Sequence, residues 1–209
     1  PLRFDDGDLI EREASYGKVG FAMQFMLSTS LSDLERFPLK VRDLLVMPVD
    51  ADTAPLRLTW GPVEDKAYRD LPNMAMTGDR FYGPMSVGDI FTEYTGTVLA
   101  IDPSGRGSDE TGYAVVKMLN GYLFVSACGG LKGGYDHDTL MELSVIAKNY
   151  KVNHVVIESN FGDGMFTSLL RPVISKVHPV MLEEVRHSKQ KERRIIDTLE
   201  PVMMQHKLV

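Results

Sequence analysis

The sequence has a single cysteine, Cys128, among its 209 residues. A disulfide within the chain and a cysteine-based metal site are therefore excluded. Because Cys128 lies in an apolar run, we predict that it is a buried small hydrophobic residue. A reducing compartment such as the cytoplasm is compatible with this cysteine content.

Long hydrophobic segments and an excess of positive charge are also missing. No apolar run reaches the about 20 residues that a membrane-spanning helix needs, and the N-terminus carries no secretory signal. The formal net charge is −6, which argues against a protein that coats nucleic acid through bulk positive charge. With 44% hydrophobic and 25% charged residues, the composition is typical of a soluble globular protein, and we expect no membrane partner.

Several common catalytic patterns are absent as well. Neither glycine-rich segment, 103–108 or 129–134, matches the phosphate-binding pattern G-x-x-x-x-G-K-[ST], so this chain alone is not expected to hydrolyse ATP. The five histidines show no metal-ligand spacing, and His154, in an apolar run, is predicted to be a core residue. The lack of a Ser/His/Asp arrangement argues against acyl-transfer chemistry.

By composition the chain divides into three segments. Residues 1–46 begin with helical character, whereas residues 47–92 are rich in proline and glycine, with short strands predicted at 56–60 and 67–70. An irregular segment of this length is typical of an inserted or docking element. Regular patterning occupies residues 93–209. Because the chain begins with Pro1 and ends in an apolar run, we expect a fragment that is cut within an ongoing strand.

Residues 93–209 predict a mixed α/β domain. Asn120-Gly121 between two apolar runs is a strong hairpin signal, so the first three strands should form an antiparallel meander. Beyond them, buried strands alternate with helices, the first of which has Asp138 as its expected N-cap. The predicted order is β-β-β-α-β-α-β, with strands at 97–101, 111–119 and 122–127, a helix at 138–150, a strand at 152–157, a helix at 165–177 and a strand at 180–185.

Two acidic residues occupy the same setting, at the C-terminal end of a buried apolar strand. Asp102 follows 98–101, and Glu158 follows 155–157. A buried carboxylate must be paired, hydrogen-bonded or metal-bound, because leaving it isolated is costly. If the two strands are neighbours, the pair can chelate Mg²⁺ or Mn²⁺ for two-metal phosphodiester hydrolysis, and Asp109 can add a ligand. The alternative is that each acid is only a strand-end cap or an ion-pair partner.

Residues 186–194 form the one dense basic cluster of the sequence. Such a cluster is suited to DNA phosphates and gives salt-dependent binding without sequence choice. A solvated helix face is an equally weighted alternative, since Glu192 and Asp197 dilute the charge. The candidate DNA-binding residues are Arg106, Lys132, Lys189, Lys191, Arg193 and Arg194.

Three segments resemble the large terminase subunits of tailed bacteriophages. Residues 100–109 (AIDPSGRGSD) resemble the first nuclease motif of that family, and residues 156–162 (VIESNFG) resemble the second. Residues 193–203 (RRIIDTLEPVM) are similar to the C-terminal region of podophage-type members. The resemblance implies an RNase H-like α/β fold, a mixed sheet with three antiparallel strands and a parallel fourth, flanked by helices. The implied activity is a metal-dependent endonuclease that cuts concatemeric viral double-stranded DNA during genome packaging into the capsid.

Residue roles, domains and partners also follow from this resemblance. Asp102 and Glu158 fall on catalytic metal ligands of a two-metal Mg²⁺ or Mn²⁺ site, and Asp109 falls on an accessory acid. Residues 1–46 correspond to the tail of a preceding ATPase domain, 47–92 to a lead-in and 93–209 to the nuclease domain. The implied partners are double-stranded DNA, the small terminase subunit, the portal of the prohead and the ATPase domain of the same polypeptide. The implied location is the host cytoplasm rather than the virion.

The sequence departs from the family pattern at its C-terminus. The third essential acid of the family lies beyond a strand that would begin at residues 206–209, so we expect a nuclease domain truncated at its C-terminus. Two alternatives stay open: a resolvase- or transposase-type nuclease of the same fold superfamily, and a non-catalytic DNA- or portal-docking module.

Overall fold

The computed structural model describes residues 7–9, 11–12, 37–72, 79–104, 109–159, 164–187 and 190–209. The chain forms two compact units, Pro1–Lys40 and Val41–Val209. In the first unit, residues 7–9 and 11–12 are helical, as predicted for this segment. The remaining residues of that helical prediction up to 36 lie outside the described part of the chain. None of the helices in the described ranges is long and apolar enough to cross a membrane.

The second unit is built on a five-stranded mixed sheet. Four short strands precede it: β1 (Thr53–Pro55), β2 (Leu58–Thr59), β3 (Ser86–Val87) and β4 (Phe91–Glu93). The sheet itself comprises β5 (Gly96–Asp102), β6 (Thr111–Leu119), β7 (Tyr122–Leu131), β8 (His154–Glu158) and β9 (Met181–Val185). Its spatial order is β7-β6-β5-β8-β9.

The strand directions confirm the predicted topology. Strands β5, β6 and β7 form an antiparallel meander, whereas β8 pairs parallel to β5 and β9 parallel to β8. The turn between β6 and β7 has Asn120 and Gly121 at φ +48° and +77°. Positive φ at both central residues is the tight hairpin geometry whose twist matches the flanking strands. The Asn-Gly pair therefore sets this hairpin, as predicted.

Two helices cover one face of the sheet. They are α1 (His137–Asn149) and α2 (Met165–Val177), and they pack against each other as well as on the strands. Alternate residues of each strand point to the same face, so the buried side chains of β5 and β8 meet the apolar stripes of these helices. The main core consists of Leu99, Ile101, Val115, Leu140, Leu143, Ala147, Val152, Val155, Ile157, Phe166, Leu170 and Ile174. The N-cap prediction was wrong by two residues, since Asp136 rather than Asp138 precedes the first helical turn.

The proline-rich segment forms a small subdomain against the hairpin. Strand β1 pairs with β4 and β2 pairs with β3, both antiparallel. The predicted strand at 56–60 shrinks to β2, and the one predicted at 67–70 reduces to a single bridge between Ala67 and Tyr82. A second buried cluster joins this segment to β6 and β7 and contains Leu45, Ala54, Leu58, Leu119, Tyr122 and Phe124.

A third helix, α3 (Lys191–Met204), follows the sheet. It is missing from the predicted element order, but its exposed first turn agrees with the alternative of a solvated helix face for the basic cluster. After it the chain returns to β7, where Leu208 forms a parallel bridge with Leu123. The stack of His206 on Trp60, with ring centroids 3.7 Å apart, ties this return to the proline-rich subdomain.

Cys128 is exposed, and the prediction that it is buried was wrong. It pairs with Ala114 in the hairpin register, and Ala114 pairs with Ala100 of β5. The buried neighbours Leu99 and Ile101 point to the helix-covered face, so Cys128 belongs to the opposite face. We call that opposite face of the sheet the open face.

Candidate metal centre and its basic flank

Asp102 and Glu158 are the last residues of two adjacent parallel strands, β5 and β8. The residues just before them, Ile101 and Ile157, are register partners and are both buried in the main core. Because side chains alternate along a strand, the next residue on each strand points to the open face. The two carboxylates therefore lie side by side, on strands separated by about 4.8 Å. The predicted juxtaposition is observed.

The two carboxylates differ in their exposure to water. The Asp102 side chain is 50% exposed and the Glu158 side chain 17% exposed. Glu158 therefore loses more of its hydration on folding, which makes the hydrogen bonds of its carboxylate more important. Asp102 keeps about half of its contact with solvent, so this carboxylate is the more accessible of the two to an incoming cation.

Each carboxylate contacts a cationic side chain from the first turn of α3. Lys191 Nζ lies 2.6 Å from Asp102 Oδ2. Arg194 Nη2 donates to both oxygens of Glu158, at 3.2 and 3.3 Å. The hydrogen bond to Asp102 and the charge of that carboxylate raise the pKa of Lys191 above its ordinary value of 10.5. The acidic pair thus stabilises positive charge placed beside it on the open face.

The third predicted ligand, Asp109, is not gathered with the other two. Asp109 is exposed and lies two residues before β6. Its neighbour Glu110 is directed at Gly130 of β7, on the side of β6 away from β5. Across the described ranges, no three His, Cys, Asp or Glu side chains come together in a group that could hold a metal ion. The role of Asp109 stays a prediction.

The candidate DNA-binding residues fall into three groups. Arg106 and Lys189 lie outside the described residues. Lys191 and Arg194 contact the acids, and Arg193 forms an ion pair with Asp197 one helical turn further on. The sixth, Lys132, is exposed just after β7, at the same end of the sheet as Asp102. The direct contacts of Lys191 and Arg194 with the acids were missed, although a spacing of three residues in a helix puts two side chains on one face.

His154 was wrongly predicted to be a core residue. It occupies the open face of β8, the face to which Glu158 also belongs, and its Nε2 lies 2.9 Å from Glu183 Oε2 on β9. Its side chain is 30% exposed. This contact is not a hydrogen bond, so it is a close approach of two side chains on neighbouring strands. The apolar run around His154 belongs to both faces, and only one face is covered by α1 and α2.

The donor set of the pair fits a hard divalent cation. Carboxylate oxygens are the ligands that Mg²⁺ and Mn²⁺ prefer. Mg²⁺ is commonly held by only one or two protein carboxylates, with waters and substrate phosphates completing its shell. Asp102 and Glu158 satisfy this requirement, and the open face beside them has the small residue Ala100 and the glycine Gly112.

A five-stranded mixed sheet of this order, with two acids at the ends of adjacent strands, defines an RNase H-like α/β fold. Residues 101–208 match the family of Ribonuclease H-like domains of the bacteriophage T7 terminase. This match covers just over half of the chain, and the chain belongs to that family, as the sequence motifs predicted.

A comparison with proteins of known sequence identifies a relative of this chain. It is 48% identical over 209 residues to the large terminase subunit of Enterobacteria phage T3, an alignment that covers all of this chain and 36% of that protein. The chain thus spans about a third of the length of this relative.

Solved structures with a similar fold include two terminase nucleases. One is from thermophilic phage G20c, with a TM-score of 0.43, 14% identity, and coverage of 54% of this chain and 56% of that one. The other is the human cytomegalovirus terminase nuclease domain, soaked with Mn and bound to an inhibitor, with a TM-score of 0.41, 9% identity, and coverage of 55% and 63%.

Proposed function

We propose that this chain is the nuclease part of a large terminase subunit and hydrolyses phosphodiester bonds of double-stranded DNA with divalent cations. The observation that carries the proposal is the placement of Asp102 and Glu158 side by side on the open face, at the ends of adjacent parallel strands. Family membership and the 48% identity to the phage T3 large terminase subunit support it.

The acidic side chains of the site are suited to the cation, and the basic side chains nearby are suited to DNA. Asp102 and Glu158 would hold the cation through their oxygens, and the rigid Ile101–Ile157 pairing below them fixes the distance between the two carboxylates. When bound, two such ions supply an activated water and stabilise charge on the leaving oxygen. Lys132 and Arg193 are exposed near this end of the sheet and are suited to DNA phosphates.

A third ligand has two candidate sources. One is Asp109, which precedes β6. The other is a residue after Val209 in a longer polypeptide, and the return of the chain to β7 supports it. Leu208 pairs parallel to β7, and β7 runs in the same direction as β5 because each is antiparallel to β6. A strand that kept this pairing would advance toward the end of the sheet where the acids lie.

The remaining parts of the proposal concern the whole protein. We propose that the substrate is concatemeric viral DNA, cut as a genome is packaged into the prohead in the host cytoplasm. The partners are then the ATPase domain of the same polypeptide, the small terminase subunit and the portal. We propose Mg²⁺ as the cation in the cell, with Mn²⁺ able to replace it because both prefer oxygen ligands. The Asp102 and Glu158 carboxylates are the support for this choice.

The proposal is tested by plasmid cleavage with Mg²⁺ or Mn²⁺. We expect Asp102→Asn to abolish cutting while leaving the fold and most of the DNA affinity intact. Asp52→Asn is a matched control, because Asp52 is also a half-exposed acid in an ion pair with a lysine, Lys151, at 2.7 Å. If Asp102→Asn and the parent cut DNA equally, this site would not be the catalytic site, and a docking module would be favoured. A preference for branched over linear duplex would favour a resolvase.

A further inference from the structure

Lys191 and Arg194 form one cationic edge of α3. They are three residues apart, and residues at this spacing lie on the same side of a helix. Each reaches a different member of the acidic pair: Lys191 contacts Asp102, and Arg194 contacts both oxygens of Glu158. Two positive charges are thus matched to two negative charges across the site. We call these two residues the cationic pair.

The helix that carries the cationic pair is lightly anchored. Within α3, all of whose residues the structure describes, only Met203 near the C-terminal end is fully buried. No residue of α3 belongs to either of the two buried clusters, and Ile195 is 40% exposed. The cap residue Gln190 makes no side-chain hydrogen bond to the first turn. The two ion pairs are therefore contacts by which the N-terminal turn is held beside the sheet.

We propose that the cationic pair is exchangeable: it neutralises Asp102 and Glu158 until a divalent cation binds them, and then turns to DNA phosphates. This inference rests on the proposed function. Both oxygens of Glu158 accept from Arg194 and Asp102 accepts from Lys191, so a cation that binds between the two carboxylates competes with these side chains for the same oxygens. A divalent charge between the two acids also repels Lys191 and Arg194, and DNA phosphates are the nearest alternative anions when substrate is present.

The arrangement couples metal binding to DNA binding. Metal that displaces the cationic pair provides two more cations for phosphate contacts. By thermodynamic reciprocity, DNA then increases the affinity for metal by the same factor. Each added phosphate contact steepens the dependence of log affinity on log salt by about 0.9, so the metal-bound form should show a slope steeper by about 1.8. The repulsion between the two acids would thus be compensated by the cationic pair before the metal binds and by the metal afterwards.

If the cationic pair assisted metal binding instead of competing with it, the opposite change in metal affinity would be expected. If Lys191 and Arg194 served to orient the carboxylates for the cation, removing either would weaken metal binding. If they compete with the cation, removing either strengthens it. The sign of the change in metal affinity therefore decides between the two roles without any measurement of cutting.

The first experiment is calorimetric titration of Mn²⁺ into this chain without DNA. We expect Lys191→Gln to bind Mn²⁺ about threefold more tightly than the parent, as suits a half-exposed ion pair. For Arg194→Gln we expect about tenfold tighter Mn²⁺ binding, because the contact of Arg194 with both oxygens of a largely buried carboxylate is stronger. Arg193→Gln is the matched control: it removes the same charge from the adjacent position, where Arg193 pairs with Asp197, and should leave Mn²⁺ affinity unchanged.

The second experiment measures binding of a labelled DNA duplex with and without Ca²⁺, which also takes oxygen ligands. The parent should gain affinity and salt dependence when Ca²⁺ is added. Lys191→Gln and Arg194→Gln should lose part of that gain, whereas Arg193→Gln should weaken binding equally in both conditions. Thermal melting of each variant reports whether it is folded.

The outcomes separate the two proposals. Weaker or unchanged Mn²⁺ binding by both Lys191→Gln and Arg194→Gln, with parent binding that Asp102→Asn abolishes, overturns the exchange and leaves the metal site standing. Parent Mn²⁺ binding that is absent, or that Asp102→Asn does not alter, overturns the metal site and the exchange together. Tighter binding by both variants, with an unchanged Arg193→Gln, supports the exchange.

Discussion

Ile101 and Ile157 are register partners in adjacent parallel strands, and neither side chain is more than 2% exposed to solvent. This pairing is what places the following residues, Asp102 and Glu158, next to each other on the other face. The packing of these apolar side chains in the core thus sets the spacing of the two carboxylates on the opposite face.

The first prediction concerns this pairing. Ile157→Ala removes buried methyl and methylene groups from the main core and should cost about 2–4 kcal/mol of unfolding free energy. It should also weaken Mn²⁺ binding, because β8 no longer packs tightly below Glu158. Val156→Ala, on the half-buried open face of the same strand, is the control and should cost less. Urea denaturation and calorimetry make the comparison, and equal losses for both variants would contradict this account of the spacing.

A second prediction concerns the tie between the proline-rich subdomain and the hairpin. The buried Tyr122 hydroxyl accepts from the Leu58 N–H at 3.1 Å and donates to the Leu58 carbonyl at 2.8 Å. Tyr122→Phe leaves two buried backbone groups without a partner and should cost about 1–3 kcal/mol. Tyr94→Phe removes one exposed hydrogen bond, from Tyr94 to the Asp50 carbonyl, and should cost less. If the denaturant midpoints of the two variants fall equally, the Tyr122 hydroxyl does not hold the proline-rich subdomain to the hairpin.

The hairpin turn supplies a third prediction. Gly121 has φ +77°, and a Cβ added there would meet no other atom within 4 Å, so Gly121→Ala tests backbone strain without a steric clash. We expect a loss of about 1 kcal/mol, the cost of this conformation for an L-residue. Gly112, in β6, has no positive φ, and an added Cβ would meet only Asp102 Cβ at 3.9 Å. Gly112→Ala should therefore be neutral or slightly stabilising in thermal melts, and a larger loss there than at Gly121 would refute the strain argument.

The fourth prediction is a pH dependence. Hydrogen bonds from the backbone of Asp52 and Thr53 lower the pKa of Asp50 below its ordinary value of 3.8. Because the folded-state pKa is depressed, the stabilisation is present above pH 3.8 and is lost as the pH falls through the lower folded value. Asp50→Ala should therefore be less stable than the parent at neutral pH, and the difference in urea midpoint should shrink in acid. A difference that grows in acid would mean that the turn before β1 does not depend on the carboxylate.

Much of the sheet could be predicted because local signals and tertiary structure agree there. The apolar runs that end at Asp102 and Glu158 are the buried strands β5 and β8, and the Asn120-Gly121 turn fixes the antiparallel hairpin. Strand direction followed from the short turn, which allows only antiparallel neighbours, and from the helix between strands, which returns the chain to a parallel position.

The remaining features depend on which face of the sheet is covered. Cys128 and His154 lie in apolar runs, and periodicity alone does not show that their face lacks α1 and α2. Helix α3 was missed because its first turn is dense in charge and Pro201 interrupts its last turns. The partners of Lys191 and Arg194 are distant in sequence and emerge only when α3 is placed beside the sheet.

The most direct measurement is an anomalous difference map from a crystal of this chain soaked in Mn²⁺. The account predicts a peak within bonding distance of the carboxylate oxygens of both Asp102 and Glu158, with Lys191 and Arg194 turned away from them. A soaked crystal with no peak there, and with both cationic side chains still on the acids, would contradict the claim that these two residues share a metal.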